Sequence, residues 1–188
     1  MEHIITVYDQ KILLWLNRLV AIWGFLNKLL AEYLIYIVPI ALLWLWFFSQ
    51  KSKKVAMRAL ASAVVAWVVL ARTVGLWVHR DRPFDVGGVR ELLFHRPDYS
   101  FPSDHATVFF AVAASFYFSG NKKLAYVFFG MAMVNSIFRV ATGLHWPSDV
   151  IVGAVFGVVS AWLIFLFDKP LDIIYEFILN IARKLRLA

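Results

Sequence analysis

The stretch YLIYIVPIALLWLWFF, Tyr33 to Phe48, carries no charged residue, and its reading decides the fold. Extended slightly at either end, it reaches the ~20 residues that a helix needs to cross the hydrocarbon core of a bilayer. Its proline, Pro39, is tolerated in such a helix. Working outward, Val55 to about Val78 reads as a second span, interrupted by Arg58 near one end and by Arg72 deep towards the other. Ala106 to Phe118 is a third, of spanning length only if its helix begins near Ser103. Leu124 to about Val140 and Val150 to Phe167 complete the set.

The first 31 residues are different in kind. Ile12 to Ala31 is long enough to cross, but Asn17, Arg18, Asn27 and Lys28 recur on one side at helical spacing, which suits a helix lying in the interface. The apolar run has no small-residue cleavage site after it and does not read as a removable signal peptide. The expectation is a single-domain, all-α integral membrane bundle of five transmembrane helices, six if the first segment crosses. Residues 1–31 form an N-terminal amphipathic helix, 32–168 the bundle and 169–188 a basic amphipathic tail.

Composition agrees. Of 188 residues, 62% are hydrophobic and only 16% charged, against ~45–50% and ~25% in soluble domains. A mean hydropathy of +0.72 excludes an ordinary soluble globule and a disordered chain. The absence of cysteine removes disulfides, thiolate metal sites and a cysteine nucleophile. The net charge of +7 would suit nucleic acid in a soluble protein, but in a membrane protein its distribution sets orientation. Lys51, Lys53, Lys54 and Arg58 lie between spans one and two, and Lys122 and Lys123 between three and four, so both loops are expected in the cytoplasm. Lys169, Arg183, Lys184 and Arg186 place the tail on the same side, against anionic lipid.

By alternation the loop from His79 to Asp104 and the turn around His145 face outward. That loop has four arginines, Arg80, Arg82, Arg90 and Arg96, and no lysine. Arginine's planar fork suits bidentate phosphate recognition, although Asp81, Asp85, Glu91 and Asp98 allow simple local ion pairs. Three stretches therefore meet at one membrane face: RDRPF (Arg80 to Phe84), SFPSDHAT (Ser100 to Thr107) and RVATGLHWPSD (Arg139 to Asp149). Two histidines, arginines, a serine and a carboxylate are the inventory for phosphoryl transfer through a histidine nucleophile. His145 and Asp149, four apart, can face each other on one helical turn, the carboxylate holding one ring nitrogen as N–H while the other attacks phosphorus. Taken alone, the pair reads equally as the start and cap of the last span. Ser103 and Asp104 precede an apolar run and could cap it; capping does not explain His105. A helix N-terminus seats phosphate, with Ser103 as donor and His105 as general acid. Arg82 and Arg139 would neutralise the phosphoryl oxygens, and an arginine at the end of an apolar span, as Arg139 is, points to function. Arg72 is either a third cation or the partner of an acid. No His-Glu-x-x-His pair, dense carboxylate run or P-loop favours a metal, and Ser103 lacks the Gly-x-Ser-x-Gly setting of a serine nucleophile.

In this order, RPF, PSDH and R-x5-H-x3-D resemble the signature of the type 2 phosphatidic acid phosphatase superfamily, across Arg72 to Asp149. The resemblance implies Arg82 and Arg139 as phosphate binders, Ser103 with the following amides as further donors, His105 as general acid, and His145 as nucleophile with Asp149 as its partner. It also implies a phosphohistidine intermediate hydrolysed by water, without metal or cofactor. Two positions depart from the pattern. Gly75 stands where the family usually has lysine, leaving Arg72 or Arg80 to replace that phosphate contact, and Asp104 replaces the usual glycine of the second motif. The SFPSDH form is similar to the bacitracin-resistance type of undecaprenyl-diphosphate phosphatases. That branch implies removal of the terminal phosphate from a C55 isoprenyl diphosphate at the outer face of a bacterial plasma membrane, recycling the cell-wall carrier lipid. Its partners would be the lipid diphosphate and membrane lipid, not nucleic acid. Phosphatidylglycerophosphate, phosphatidate or phosphoryl transfer to a second lipid are the alternatives within the class. A non-catalytic anionic-lipid binding or transport protein is the alternative outside it.

Overall fold

Charged residues are rare enough between the polar connections that each apolar stretch closes its backbone hydrogen bonds internally, as a helix must where no water reaches it. The structure, a computed structural model, describes residues 2–48, 52–86, 88–94 and 98–185. Lys51, Arg96 and Arg186 lie outside the described residues. Among those described the regular structure is helical throughout. It comprises α1 (Glu2–Val20), α2 (Gly24–Ala31), a 3-10 turn at Tyr33–Tyr36, and α3 (Ile37–Phe48). Then follow α4 (Lys53–Val64), a π-helical segment at Val65–Ala71, and α5 (Arg72–Gly75). The last four are α6 (Asp104–Phe118), α7 (Lys122–Ala141), α8 (Pro147–Leu166) and α9 (Asp168–Lys184).

Four helical rods are long and apolar enough to cross a membrane: Gly24–Phe47, Lys53–Gly75, Lys122–Ala141 and Pro147–Leu166. This is a multi-pass membrane protein. The first rod starts ahead of Tyr33, so the expected boundary at residue 31 falls inside a helix that runs on through the 3-10 turn. The expected third span is α6, whose 15 residues cover only ~22 Å. Its start is set by the extended backbone of Ser103, directly after Pro102.

α6 is the centre of the bundle, and Phe109, Ala111, Val112, Ala113 and Phe116 along it have no exposure at all. Alanines on the rod of α4 and on α7, among them Ala59, Ala66, Ala125 and Ala132, pack against it. α8 approaches closest. A Cβ added to Gly153 would stand 2.7 Å from the Ser103 carbonyl, and one at Gly157 would stand 2.6 Å from the Ala111 nitrogen and the Thr107 carbonyl. Helices in lipid gain little from hydrophobicity, so such small-residue seams carry their association. The outer faces keep large apolar groups, Trp44 and Phe47 on α3 and Ile151 and Trp162 on α8, where lipid covers them.

The expected polar stripe of the N-terminal segment faces inward in part. Asn17 and Asn27 are 2% and 1% exposed, because each side-chain amide satisfies a carbonyl at a helix end: Asn17 that of Ala141 at 2.8 Å, Asn27 that of Val20 at 2.8 Å. Tyr8, Ile12 and Trp15 occupy the exposed side of α1. At the opposite end of the bundle, α9 turns its acids towards α4. Asp168 pairs with Arg58 at 2.6 Å, and Asp172 and Glu176 with Lys54 at 2.8 Å each.

Candidate active site

The three motif stretches converge because backbone groups of each are held by the others. Arg82, 3% exposed, donates to the Leu144 carbonyl at 2.6 Å and the Tyr99 carbonyl at 3.3 Å, and pairs with Asp98 at 2.7 Å. The Asp98 pair is the local ion pairing that the loop's acids allowed. The Ser100 amide donates to the Arg80 carbonyl at 2.9 Å, and the Ser103 amide to the Asp149 carbonyl at 3.1 Å. One side of the third motif is shaped by Gly143, whose φ of +82° ends α7 in a left-handed turn. A Cβ there would also meet Val89 Cγ1 at 2.9 Å. The turn carries the chain back so that Leu144 and His145 donate their amides to the Arg139 carbonyl, at 3.1 and 3.3 Å.

His145 is thereby laid against Arg139. The Arg139 guanidinium donates to His145 Nε2 at 2.8 Å, and the ring's Nδ1–H donates to the Ser100 carbonyl at 2.8 Å. The tautomer follows from the partners, since Nε2 faces a donor and Nδ1 an acceptor. Here geometry differs from the sequence expectation. Asp149 is the ionic neighbour of Nδ1, at 3.8 Å, beyond hydrogen-bond reach. Its oxygens accept instead from the Trp146 amide at 2.8 Å and from Arg80 at 2.6 Å. Capping α8 and facing His145 are thus both true of Asp149, because a carboxylate in the first helical turn has room for each.

A cavity of about 590 Å³ opens beside Nε2, lined by Arg72, Arg82, Asp104, His105, Arg139 and His145 among others. Ser103 lies just behind it. Its hydroxyl is buried, makes no capping bond, and has no hydrogen-bond partner, and the same is true of Arg139 Nε. Capping therefore does not account for Ser103. Asp104 lines the same cavity, near Trp67 and in the field of Arg72, Arg82 and Arg139. Arg72 stacks over Trp67, 5.6 Å from the ring centroid. The π-helical segment that carries Trp67 and Ala71 widens the backbone where the cavity needs room, a common use of such irregularity. At Gly75 a Cβ would stand 3.2 Å from the Phe101 carbonyl. A smaller cavity of about 220 Å³, lined by Glu32, Tyr36 and Phe94, backs onto the other side of His105 and Arg139.

Arg80 does not line either cavity. Its guanidinium binds Asp149 and Ser148 at 2.6 Å each and Asp9 at 2.7 Å, and sits 5.1 Å from the centre of the Trp146 ring. Of the two candidates to replace the missing lysine, only Arg72 reaches the cavity. Arg90 is exposed, its backbone amide donating to Asn17 at 3.1 Å. Sequence reasoning quoted Ser100 without giving its carbonyl a role towards His145, and it missed Asp9, which no motif marked. Among the described residues no group of three or more His, Cys, Asp or Glu gathers as a metal site would require.

Fold and site together define a class: a membrane-embedded helical protein whose polar end holds two histidines and three arginines around a cavity of head-group size. Residues 56–171 match the PAP2 superfamily, and the chain belongs to that family. It is 32% identical over 149 residues to the bacitracin transport permease protein BcrC of Bacillus licheniformis, covering 78% of this chain and 72% of that one. It is 28% identical over 158 residues to the undecaprenyl-diphosphatase BcrC of Bacillus subtilis, covering 80% and 81%. Among solved structures it resembles a transmembrane PAP2-type phosphatidylglycerolphosphate phosphatase from Bacillus subtilis, with a TM-score of 0.58 at 24% identity over 88% of this chain and 86% of that one. At that identity the likeness speaks for the fold.

Proposed function

We propose that the chain is a lipid phosphatase that hydrolyses undecaprenyl diphosphate to undecaprenyl phosphate and inorganic phosphate. The observation that carries the chemistry is His145, with Nδ1–H fixed on the Ser100 carbonyl and Nε2 at a cavity lined by three arginines. The lone pair on Nε2 attacks the terminal phosphorus once Arg139 exchanges that nitrogen for a phosphate oxygen. The bond between that phosphorus and the bridging oxygen breaks, and His105 gives its proton to the leaving lipid phosphate. Arg72, Arg82 and Arg139 hold the equatorial oxygens, where a loose phosphoryl transition state concentrates charge. The idle Ser103 hydroxyl and the first amides of α6 add donors. Water then attacks the phosphohistidine, His105 takes a proton from it, and phosphate departs with Nε2 restored.

The relatives named undecaprenyl-diphosphatase support the isoprenyl substrate, and Asp104 in the second motif agrees with them. We place the reaction at the extracytoplasmic face of a bacterial plasma membrane, from the basic loops at the other end. Phosphate release by the purified protein in detergent micelles tests both parts, comparing undecaprenyl diphosphate with phosphatidylglycerophosphate and phosphatidate, with EDTA present. Release that survives EDTA, favours the isoprenyl diphosphate and vanishes in His145→Ala is expected. Preference for a glycerolipid would discard the substrate and keep the mechanism; turnover without His145 would discard the mechanism.

A further inference from the structure

Asp9 lies on α1, outside the residues that match the family, yet it is only 4% exposed and all its contacts run towards the site. Oδ2 accepts from Arg80 at 2.7 Å, and Oδ1 from the Ser148 amide at 3.0 Å. The Ser148 hydroxyl also donates to Asp9. Arg80 in turn grips Asp149 at 2.6 Å, and Asp149, with no exposure, stands 3.8 Å from His145 Nδ1. Two buried carboxylates thus share one guanidinium, which lies over the Trp146 ring. The unit's net charge is −1, and that charge sits behind the imidazole.

We infer that Asp9 is a positioning residue for the nucleophile, acting through Arg80 and Asp149 on His145; this rests on His145 being the nucleophile. Without the Asp9 charge, Arg80 is neutralised by Asp149 alone, and the imidazole loses the negative field that stabilises it as it gains positive character on phosphorylation. Both carboxylates are buried while Arg80 is 25% exposed, so the field of Asp9 reaches the imidazole only partly screened. Other charged groups face His145 as well: Arg139 from α7 at Nε2, Arg82 from the first-motif loop, and Asp104 and His105 from α6 across the cavity. These are unchanged by substitution at Asp9.

The test is steady-state kinetics of the full chain in detergent across pH, on the lipid phosphate that the protein turns over best. Asp9→Asn is expected to lower kcat about 10- to 100-fold, the range for losing an outer partner of a catalytic group, with KM nearly unchanged. The acid limb of the profile, where His145 must lose its proton, moves to lower pH by about 0.5 unit, and Asp9→Glu restores both. A structural fastening alone would lower the melting temperature and leave the limb in place. Wild-type kcat and limb in Asp9→Asn, with His145→Ala inactive, would overturn the proposal alone; an active His145→Ala would overturn the reading beneath it. If Asp9→Asn does not fold, Asp9→Glu and Arg80→Lys replace it. Lysine keeps the charge but cannot bridge both carboxylates, so kcat falls in Arg80→Lys and holds in Asp9→Glu, and equal kcat in the two overturns the relay.

Discussion

The two ends of this bundle use the same residues to opposite purpose. Where α4 meets α9, Arg58 and Asp168 pair at 2.6 Å with side chains 23% and 29% exposed, and Lys54 and Asp172 at 2.8 Å with 32% and 45%. At the other end each pair has one buried partner: Arg80, 25% exposed, meets an Asp149 with no exposure, and Arg82, 4% exposed, meets an Asp98 that is 54% exposed. Distances are nearly equal; solvation is not. Water and salt screen the first set, which fastens α9 to the bundle and contributes little. Removing one partner of the second strands a charge in low dielectric, which is why that set fixes orientation instead of merely holding helices together.

Substitutions sharpen this contrast, and the largest effect is expected at His145, the proposed nucleophile. His145→Ala is expected to reduce phosphate release by about 10⁴-fold or more, measured as inorganic phosphate, with the helical circular dichroism signal retained. Arg139→Lys comes next. Lysine keeps the charge but lacks the planar fork that can hold two phosphoryl oxygens at once, so kcat should fall about 10²- to 10³-fold. A loss under tenfold would mean that Arg139 serves packing more than charge. Gly157→Leu reads the seam of α6 against α8, with overpacking expected to destabilise by about 1–3 kcal/mol. Thermal unfolding in detergent measures it, and an unchanged melting temperature would show that the helices are freer to part than the 2.6 Å approach implies. Asp168→Asn should be the mildest: stability lower by under ~1 kcal/mol and kcat within about twofold. A loss of activity there would break the comparison by coupling the two ends.

The helices were legible because long apolar runs have few other solutions in a membrane. Their boundaries were less so: residues 24–31 carry Asn27 and Lys28, and only the fold reveals that Asn27 serves the Val20 carbonyl instead of water. The seam at Gly153 and Gly157 went unread, and only the close approach of α8 to α6 reveals it. Within the site, motif order brought His105, Arg82, Arg139 and His145 to one place, since each motif sits at a helix end. Spacing did not disclose which acceptor takes the Nδ1 proton, because a backbone carbonyl leaves no mark on residue type. Nor could it find Asp9, whose partners Arg80 and Ser148 lie 71 and 139 residues away.

Gly75 lets the backbone ahead of the second motif approach closely. The lysine usual there in the family would bring its Cβ to 3.2 Å from the Phe101 carbonyl, and the neighbouring Ser100 carbonyl is the one that orients His145. Any side chain at this position would press on the backbone that holds His145. With Arg72 already in the cavity, a second cation has less to add there than that displacement takes away. A side chain at Gly75 is accommodated only as far as the Phe101 carbonyl can give way, so this position and the aim of His145 are mechanically linked.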